Sequence, residues 1–450
     1  MFDLRGKEVV VVGLGTSGVA AARLCLARGA RVIGTDAKSN DALGNTAMAL
    51  MAQGAEVRGG SVDDANFSKA DLVVVSPGVP NFPKLVAAEK TGVKIIGEVE
   101  LSFICRKFPC PVAAIGGTNG KSTVTTLVAA LLEGAGKKVF AGGNLGEPWA
   151  NHVDEEFDFV VLEVSSFQME RIDVFHPNAA ALLNVTPDHL DRYDGIDAYA
   201  HAKGNFFVRQ TPGDAAIIPV NDDICLREAK RGKARIVTFG SAGQKGADQV
   251  VSAEFPGLRG GHNKLNAAAA VAVVDGLGQG VVDQATIARV FGSFRALPHR
   301  MELVGEIGGI KYYDDSKGTN VGASVTALRG LSENKAVLIA GGRDKGGSYE
   351  PLAQALVDRG RAVVVIGEAA SIIADVVGDR VAVRRAATME EAVNVASVLA
   401  KAGDAVLLSP ACSSFDMFRD YKHRGDDFTR AVLEIEKSHK NTGKIPNDPE

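Results

Sequence analysis

Residues 111–132, PVAAIGGTNGKSTVTTLVAALL, constrain the chain more than any other stretch: a short apolar run breaks at Gly116, Gly117 and Gly120 and resumes as an apolar helical pattern. Strand, glycine loop and helix in that order form a phosphate-binding loop. The glycines permit backbone conformations in which N–H groups converge on phosphate oxygens at a helix start. Lys121 adds a point charge for the β and γ phosphates, and the hydroxyl of Ser122 or Thr123 can ligate the accompanying Mg²⁺. The match to G-x-x-x-x-G-K-[ST] is a variant one, because Ile115 stands where the first glycine would be. A glycine turn that binds nothing has no need of a lysine followed by two hydroxyl residues, so ATP is the expected ligand.

At about 150 residues per domain, a chain of 450 residues suggests about three domains. A net charge of −4 with no basic block gives no surface for nucleic acid or an anionic membrane. Five scattered cysteines lack metal-ligand spacing and fit a reducing cytoplasm. The N-terminal MFDLRGKEVVVVGLG enters a strand and does not read as a signal peptide. No stretch of about 18 uninterrupted apolar residues predicts a membrane span.

The first segment opens with EVVVVGLGTSGVAAARLCLARGARVIGTD, which predicts a buried strand, a glycine turn, an alanine-rich helix and a second strand ending at Asp36. Gly13, Gly15 and Gly18 complete G-x-G-x-x-G, and Asp36 stands close to the place of a ribose-binding acid. Alone this says NAD. The pattern encodes only a diphosphate near a helix start, however, and a purely structural turn remains open. DLVVVSPGVP gives a second turn at the same sheet edge.

In the middle segment, strands are predicted in FDFVVLEVSSFQME and AALLNVTPDHLDRY. Glu163 ends the first, where a second metal-directed carboxylate would stand; Asp188 and His189 follow the second. Either could equally be a solvated strand-end residue or a helix cap. Lys203 in AHAKGNFF, read alone, is an ordinary surface lysine. Gly260 and Gly261 open a long alanine-rich helix with Asn263 and Asn266 at its start, one of them explained by capping. Arg300 in LPHRMEL reads as a domain-hinge cation.

The third segment is predicted to start with a strand in GIKYYDDSKGTN and to continue as an alternating βα unit through AVLIAGG, AVVVIG and DAVLLSPACSSFDMF. Lys317, Lys345 and Ser413–Ser414 fall at strand ends and define a site on one sheet edge. Lys345 could also be a loop lysine in a glycine-rich turn. The polar tail from Lys437 is expected to fray.

Taken together, GLGTSG, SPGV, GGTNGKST, GGNLG, LEVSSFQME, LNVTPDHLDRY, HNKLNAAAA, LPHRMEL, DDSKGTN and LLSPACSSFDMF, in this order, closely resemble the cytoplasmic peptidoglycan amino-acid ligases. The resemblance implies an α/β chain of three domains: Rossmann-like at 1–98, phosphate-loop ATPase-like at 99–296 and Rossmann-like at 297–450. It implies ATP-dependent amide formation between UDP-N-acetylmuramoyl-L-alanine and D-glutamate through an acyl phosphate, with Mg²⁺, in a cytoplasmic monomer.

By the same resemblance, Gly117, Thr118, Asn119, Gly120, Lys121, Ser122 and Thr123 hold the triphosphate. Asn263, Asn266, Arg300, Asp315 and Lys317 surround the nucleotide. Ser122, Glu163, His189 and a carbamylated Lys203 organise the metal, with Lys121, Glu163, His189 and Lys203 in catalytic roles. Leu14, Thr16, Asp36, Ser76, Pro77, Gly78 and Asn144 receive the UDP substrate. Lys345, Ser414, Phe415 and Tyr421 meet D-glutamate. Diaminopimelate-adding relatives carry an Asn-Pro-Arg run that is absent here. A folylpolyglutamate-synthase-like ligase would lack the N-terminal nucleotide domain, and a Rossmann-type binding module would need no turnover.

Overall fold

Three runs of alternating strand and helix each close their own sheet in the computed structural model, which describes residues 3–62, 65–240, 261–295 and 297–442. Gly260 and the tail beyond 442 lie outside the described residues. The first two sheets belong to one compact unit. The third belongs to another, which also holds residues 186–196 and 261–264.

The first sheet comprises β1 (Glu8–Val12), β2 (Arg31–Asp36), β3 (Glu56–Gly59), β4 (Leu72–Val75) and β5 (Lys94–Ile96), all parallel, in the order β3-β2-β1-β4-β5. After Glu8, β1 is all valine at 9–12, and β4 is Leu72–Val75, unbroken apolar runs as a strand covered on both faces requires. Edge strand β3 carries Glu56 and Arg58, which pair with each other at 2.7 Å.

The second sheet is built from β6 (Val112–Gly116), β7 (Val139–Gly143), β8 (Phe159–Glu163), β9 (Ala179–Leu182), β10 (Ala215–Pro219) and β11 (Arg235–Phe239), parallel in the order β11-β10-β9-β6-β8-β7. Strand β6 lies between β8 and β9, with Ile115 opposite Glu163 and Gly116 opposite Leu182. That register brings the phosphate loop and Glu163 out at one edge.

The third sheet contains β12 (Glu302–Ile307), β13 (Ile310–Asp314), β14 (Ala336–Gly341), β15 (Gly360–Ile366), β16 (Ala382–Arg385) and β17 (Ala405–Leu408), in the order β12-β13-β17-β14-β15-β16. Strands β13, β17 and β14 are adjacent and parallel, so DDSKG, SPACSS and GGRDK emerge side by side. Alternate residues feed two cores. Leu338, Ala340, Val363 and Val365 enter one, whereas Val337, Ile339, Val364 and Ile366 enter the other. Edge strand β16 ends in Arg384 and Arg385.

Two expectations are corrected here. The third segment does not begin with IKYYD, because β12 precedes it as the antiparallel arm of a hairpin, disguised by an irregular register between Leu303 and Gly305. Nor does the chain fray from Lys437. The helix Tyr421–Thr442 runs through that point, seated by Phe428, Val432 and Ile435 in the second core and supported by a Lys440–Glu436 pair.

Candidate active site

Glycine placement in the phosphate loop is dictated by close approach. A Cβ on Gly116 would stand 2.5 Å from the buried Phe206 ring. Gly117 and Gly120 have φ of +137° and +86°, the region that only glycine adopts readily. Asn184, just past β9, clamps the loop: its backbone carbonyl accepts from Thr118 N, its Oδ1 from Asn119 N, and its Nδ2 donates to Asn119 O. Lys121 Nζ donates to the carbonyls of Gly117 and Thr118 at 2.9 and 2.8 Å. Ser122, Thr123 and Thr118 are buried.

Lys203 is not a surface lysine. It is 3% exposed, its Nζ lies 4.4 Å over the Tyr199 ring four residues earlier on the helix Ile196–Gly204, and it donates to Gly117 O at 2.8 Å. Two ammonium groups therefore share one loop carbonyl. Glu163 is also buried, and its Oε1 accepts from Asn144 Nδ2 at 2.7 Å. Asn144 thus joins the phosphate-loop sheet through Glu163. Hard oxygen donors, a buried carboxylate and buried hydroxyls around glycine-shaped space, suit Mg²⁺ and phosphate. Asn266 stands by this loop: a Cβ on Gly120 would meet its Oδ1 at 2.5 Å.

In the first sheet, Asp36 holds the glycine turn, its Oδ2 accepting from Leu14 N at 2.6 Å and its Oδ1 from Lys38 N. Ser76 Oγ donates to Gly13 O, and a Cβ on Gly18 would lie 1.8 Å from that same carbonyl. Packing therefore accounts for Gly18. Beside Gly15 a Cβ would meet nothing within 4 Å, so the protein's own packing does not require that glycine. Thr16 begins the helix Thr16–Ala27; in the turn after β4 Pro77 is half-buried and Gly78 is exposed.

The other unit gathers His189, Asn263, Arg300, Asp315, Lys317, Lys345, Ser414, Phe415 and Tyr421. His189 has φ +55°, and its N–H donates to Asp188 Oδ1. Asp188 also accepts from Lys345 Nζ at 3.1 Å and from Asn320 Nδ2 at 3.3 Å. Lys317 Nζ sits 3.8 Å over the Tyr421 ring. Ser414 is buried, while Phe415 is 65% exposed. The sequence reading missed Arg424, which is wholly buried and donates to Ser316 Oγ, Ser316 O and Cys412 O, tying the ends of β13 and β17 together. Its only signal was a cation three residues after Tyr421 on one helix face.

Burial pushes the Asp315 carboxyl up to about 7, against the opposing hydrogen bond from Ser409 Oγ and the charge of Arg300. Between the ordinary 3.8 and about 7 the folded state holds the extra proton, so stability falls as pH rises through that window. Asp315→Asn should remove this slope, worth at most about 1.4 kcal/mol per pH unit. Urea unfolding of both proteins across the window checks it; parallel curves would exclude the assignment.

Comparison with known proteins adds to this geometry. Sequence profiles match at residues 7–97 (Mur ligase MurD-like, N-terminal domain), 115–274 (Mur ligase middle domain) and 299–412 (Mur ligase, glutamate ligase domain). A UDP-N-acetylmuramoylalanine–D-glutamate ligase of Desulfatibacillum aliphaticivorans is 41% identical over 459 residues, covering 96% of this chain and 99% of that one. The chain belongs to this ligase family. Its namesake in Geobacter metallireducens is 43% identical, over 96% of this chain and 98% of its own. The fold is shared with the MurF ligase of Thermotoga maritima solved with ADP (17% identity, TM-score 0.61, covering 99% of this chain and 100% of that one). It is also shared with Mycobacterium tuberculosis folylpolyglutamate synthase solved with ADP (18%, TM-score 0.56, 67% and 88%). Within this family the match at 7–97 falls on the segment that a folylpolyglutamate-synthase-like ligase was expected to lack.

Proposed function

We infer that the chain joins D-glutamate to UDP-N-acetylmuramoyl-L-alanine in peptidoglycan precursor synthesis, with ATP as the energy source. The observation that carries the amino-acid half is the emergence of Lys345 and Ser414 from the adjacent parallel strands β14 and β17, which supplies a cation and a hydroxyl for the side-chain carboxylate of the substrate. We place the reaction in the cytoplasm and divide the chain at 1–98, 99–296 and 297–450.

The carboxylate of the UDP substrate attacks the γ-phosphorus of ATP, forming an acyl–O–P bond as ADP leaves. The D-glutamate amine, having lost a proton, then attacks the acyl carbon and expels inorganic phosphate. Gly117 to Thr123 orient the triphosphate through backbone N–H groups, and Lys121 balances charge on the β and γ phosphates. Asn263, Asn266, Arg300, Asp315 and Lys317 are assigned to the nucleotide. Ser122, Glu163, His189 and Lys203 as its carbamate would hold Mg²⁺, which when bound neutralises phosphate charge. The first sheet's turns, with Leu14, Thr16, Asp36 and residues 76–78, take the uridine diphosphate, with help from Asn144. Ser414, Phe415 and Tyr421 line the D-glutamate position, and Lys345 pairs with its side-chain carboxylate.

Lys345→Met tests the amino-acid assignment. Loss of a charge-assisted hydrogen bond is worth about 1.5–3 kcal/mol, so kcat/KM for D-glutamate should fall roughly 10- to 150-fold while Kd for ATP and for the UDP substrate holds. Phosphate-release kinetics and calorimetric titrations read the two quantities. Equal weakening of all three ligands would instead make Lys345 a structural residue.

A further inference from the structure

We propose that Asp344, Tyr349 and Cys412 form a latch that fixes Lys345, making Asp344 and Tyr349 positioning residues for recognition of the amino acid's side-chain carboxylate. The proposal rests on the assignment of Lys345 made above.

The connection from β14 to the helix Glu350–Arg359 reads GGRDKGGSY, with Lys345 set between glycine pairs. Gly341, Gly342 and Gly346 have φ of +127°, +132° and +71°. Such a segment has many accessible conformations, and a cation at its centre would lose much entropy on meeting a substrate. The structure restrains it. Asp344 Oδ1 accepts from the Tyr349 hydroxyl at 2.7 Å, and its Oδ2 accepts from Gly346 N at 3.2 Å, so the carboxylate just before Lys345 fastens the chain just after it at two points.

Tyr349 is almost wholly buried, and its hydroxyl lies 3.1 Å from the buried Cys412 sulfur. With the tyrosine proton given to Asp344, the Cys412 thiol is the donor to the tyrosine oxygen. Burial pushes that thiol up to about 11, which keeps its proton available. Cys412 is two residues before Ser414, and the neighbouring Arg343 N donates to Ser413 O at 2.9 Å while Ser413 Oγ donates to Arg343 O. A thiol, a phenol and a carboxylate thus fix the loop bearing Lys345 against the strand end bearing Ser414. The backbone position of Lys345 is set by this chain of hydrogen bonds, while its Nζ meets Asp188 Oδ1.

Tyr349→Phe removes the hydroxyl and keeps the ring. Because the hydroxyl acts on the substrate only through the placement of Lys345, part of the worth of its lost hydrogen bonds should reach binding, as a rise in KM for D-glutamate of about 3- to 10-fold, with kcat and the KM values for ATP and the UDP substrate nearly unchanged. Asp344→Ala should act in the same direction and more strongly, because it frees both ends. Adding Tyr349→Phe to Lys345→Met should change KM for D-glutamate little further, since the cation that the latch positions is gone. Three equal KM increases for Tyr349→Phe, or a fully additive double variant, would overturn the latch. If Lys345→Met itself left D-glutamate kinetics untouched, the underlying assignment would fail; if it had its effect and Tyr349→Phe had none, only the latch would fail.

Discussion

Lys121→Ala should lower turnover by about 10²- to 10³-fold or more, a loss typical of removing one preorganised charge from a developing transition state. The side chain is partly buried at the head of the helix Lys121–Gly134, outside the packed core, and its ammonium donates to the carbonyls of Gly117 and Thr118. Its removal takes away charge where the γ-phosphate is transferred and little apolar volume, so thermal unfolding and affinity for the UDP substrate should be retained. Steady-state phosphate release, a melting curve and a calorimetric titration separate these effects. Turnover within tenfold of the parent would show that the backbone cradle suffices.

Lys203→Ala should lose activity on a similar scale, and a small carboxylic acid should restore part of it. In the carbamate reading, the lysine ammonium gives up two protons as its nitrogen bonds the carbon of CO₂, so a cation becomes an anion able to face a divalent metal. Lys203 is buried, with its ammonium on the Gly117 carbonyl and over the Tyr199 ring at the phosphate loop. Rescue by a carboxylic acid discriminates a missing anion from a missing cation. An active alanine variant, together with a mass spectrum and density map showing an untouched amine, would sink the idea.

Much of this was legible from residues alone because it depends on local order. Val9 to Val12, the glycines that follow and the alanine-rich helix announce a strand–turn–helix unit without any knowledge of neighbours. The same holds for residues 111–132. What stayed hidden depends on which strands lie side by side. Asn184 clamps the phosphate loop only because β9 pairs with β6, and Arg424 bridges two strand ends only because β13 pairs with β17. Lys203 looked exposed because nothing in AHAKGNFF reveals that its helix packs against the loop. Strand β12 was missed because Gly305 interrupts its alternation at an irregular register. Asp344 and Tyr349 gave no signal, since a hydrogen bond across five residues of glycine-rich chain has no sequence period.

The charged margins of the sheets bear on how such a chain avoids self-association. Three mainly parallel sheets in one polypeptide depend on contacts between distant residues, which form slowly and leave unpaired backbone groups open to a wrong neighbour. Strand β3 presents Glu56 and Arg58 and has only four residues; β16 is equally short and ends in two arginines. A foreign strand docking there would have to bury or displace those charges, so the nascent domains resist cross-pairing with one another and with other copies. Neutralising the β16 margin would therefore be felt first in the yield of soluble protein during synthesis, before any change in catalysis.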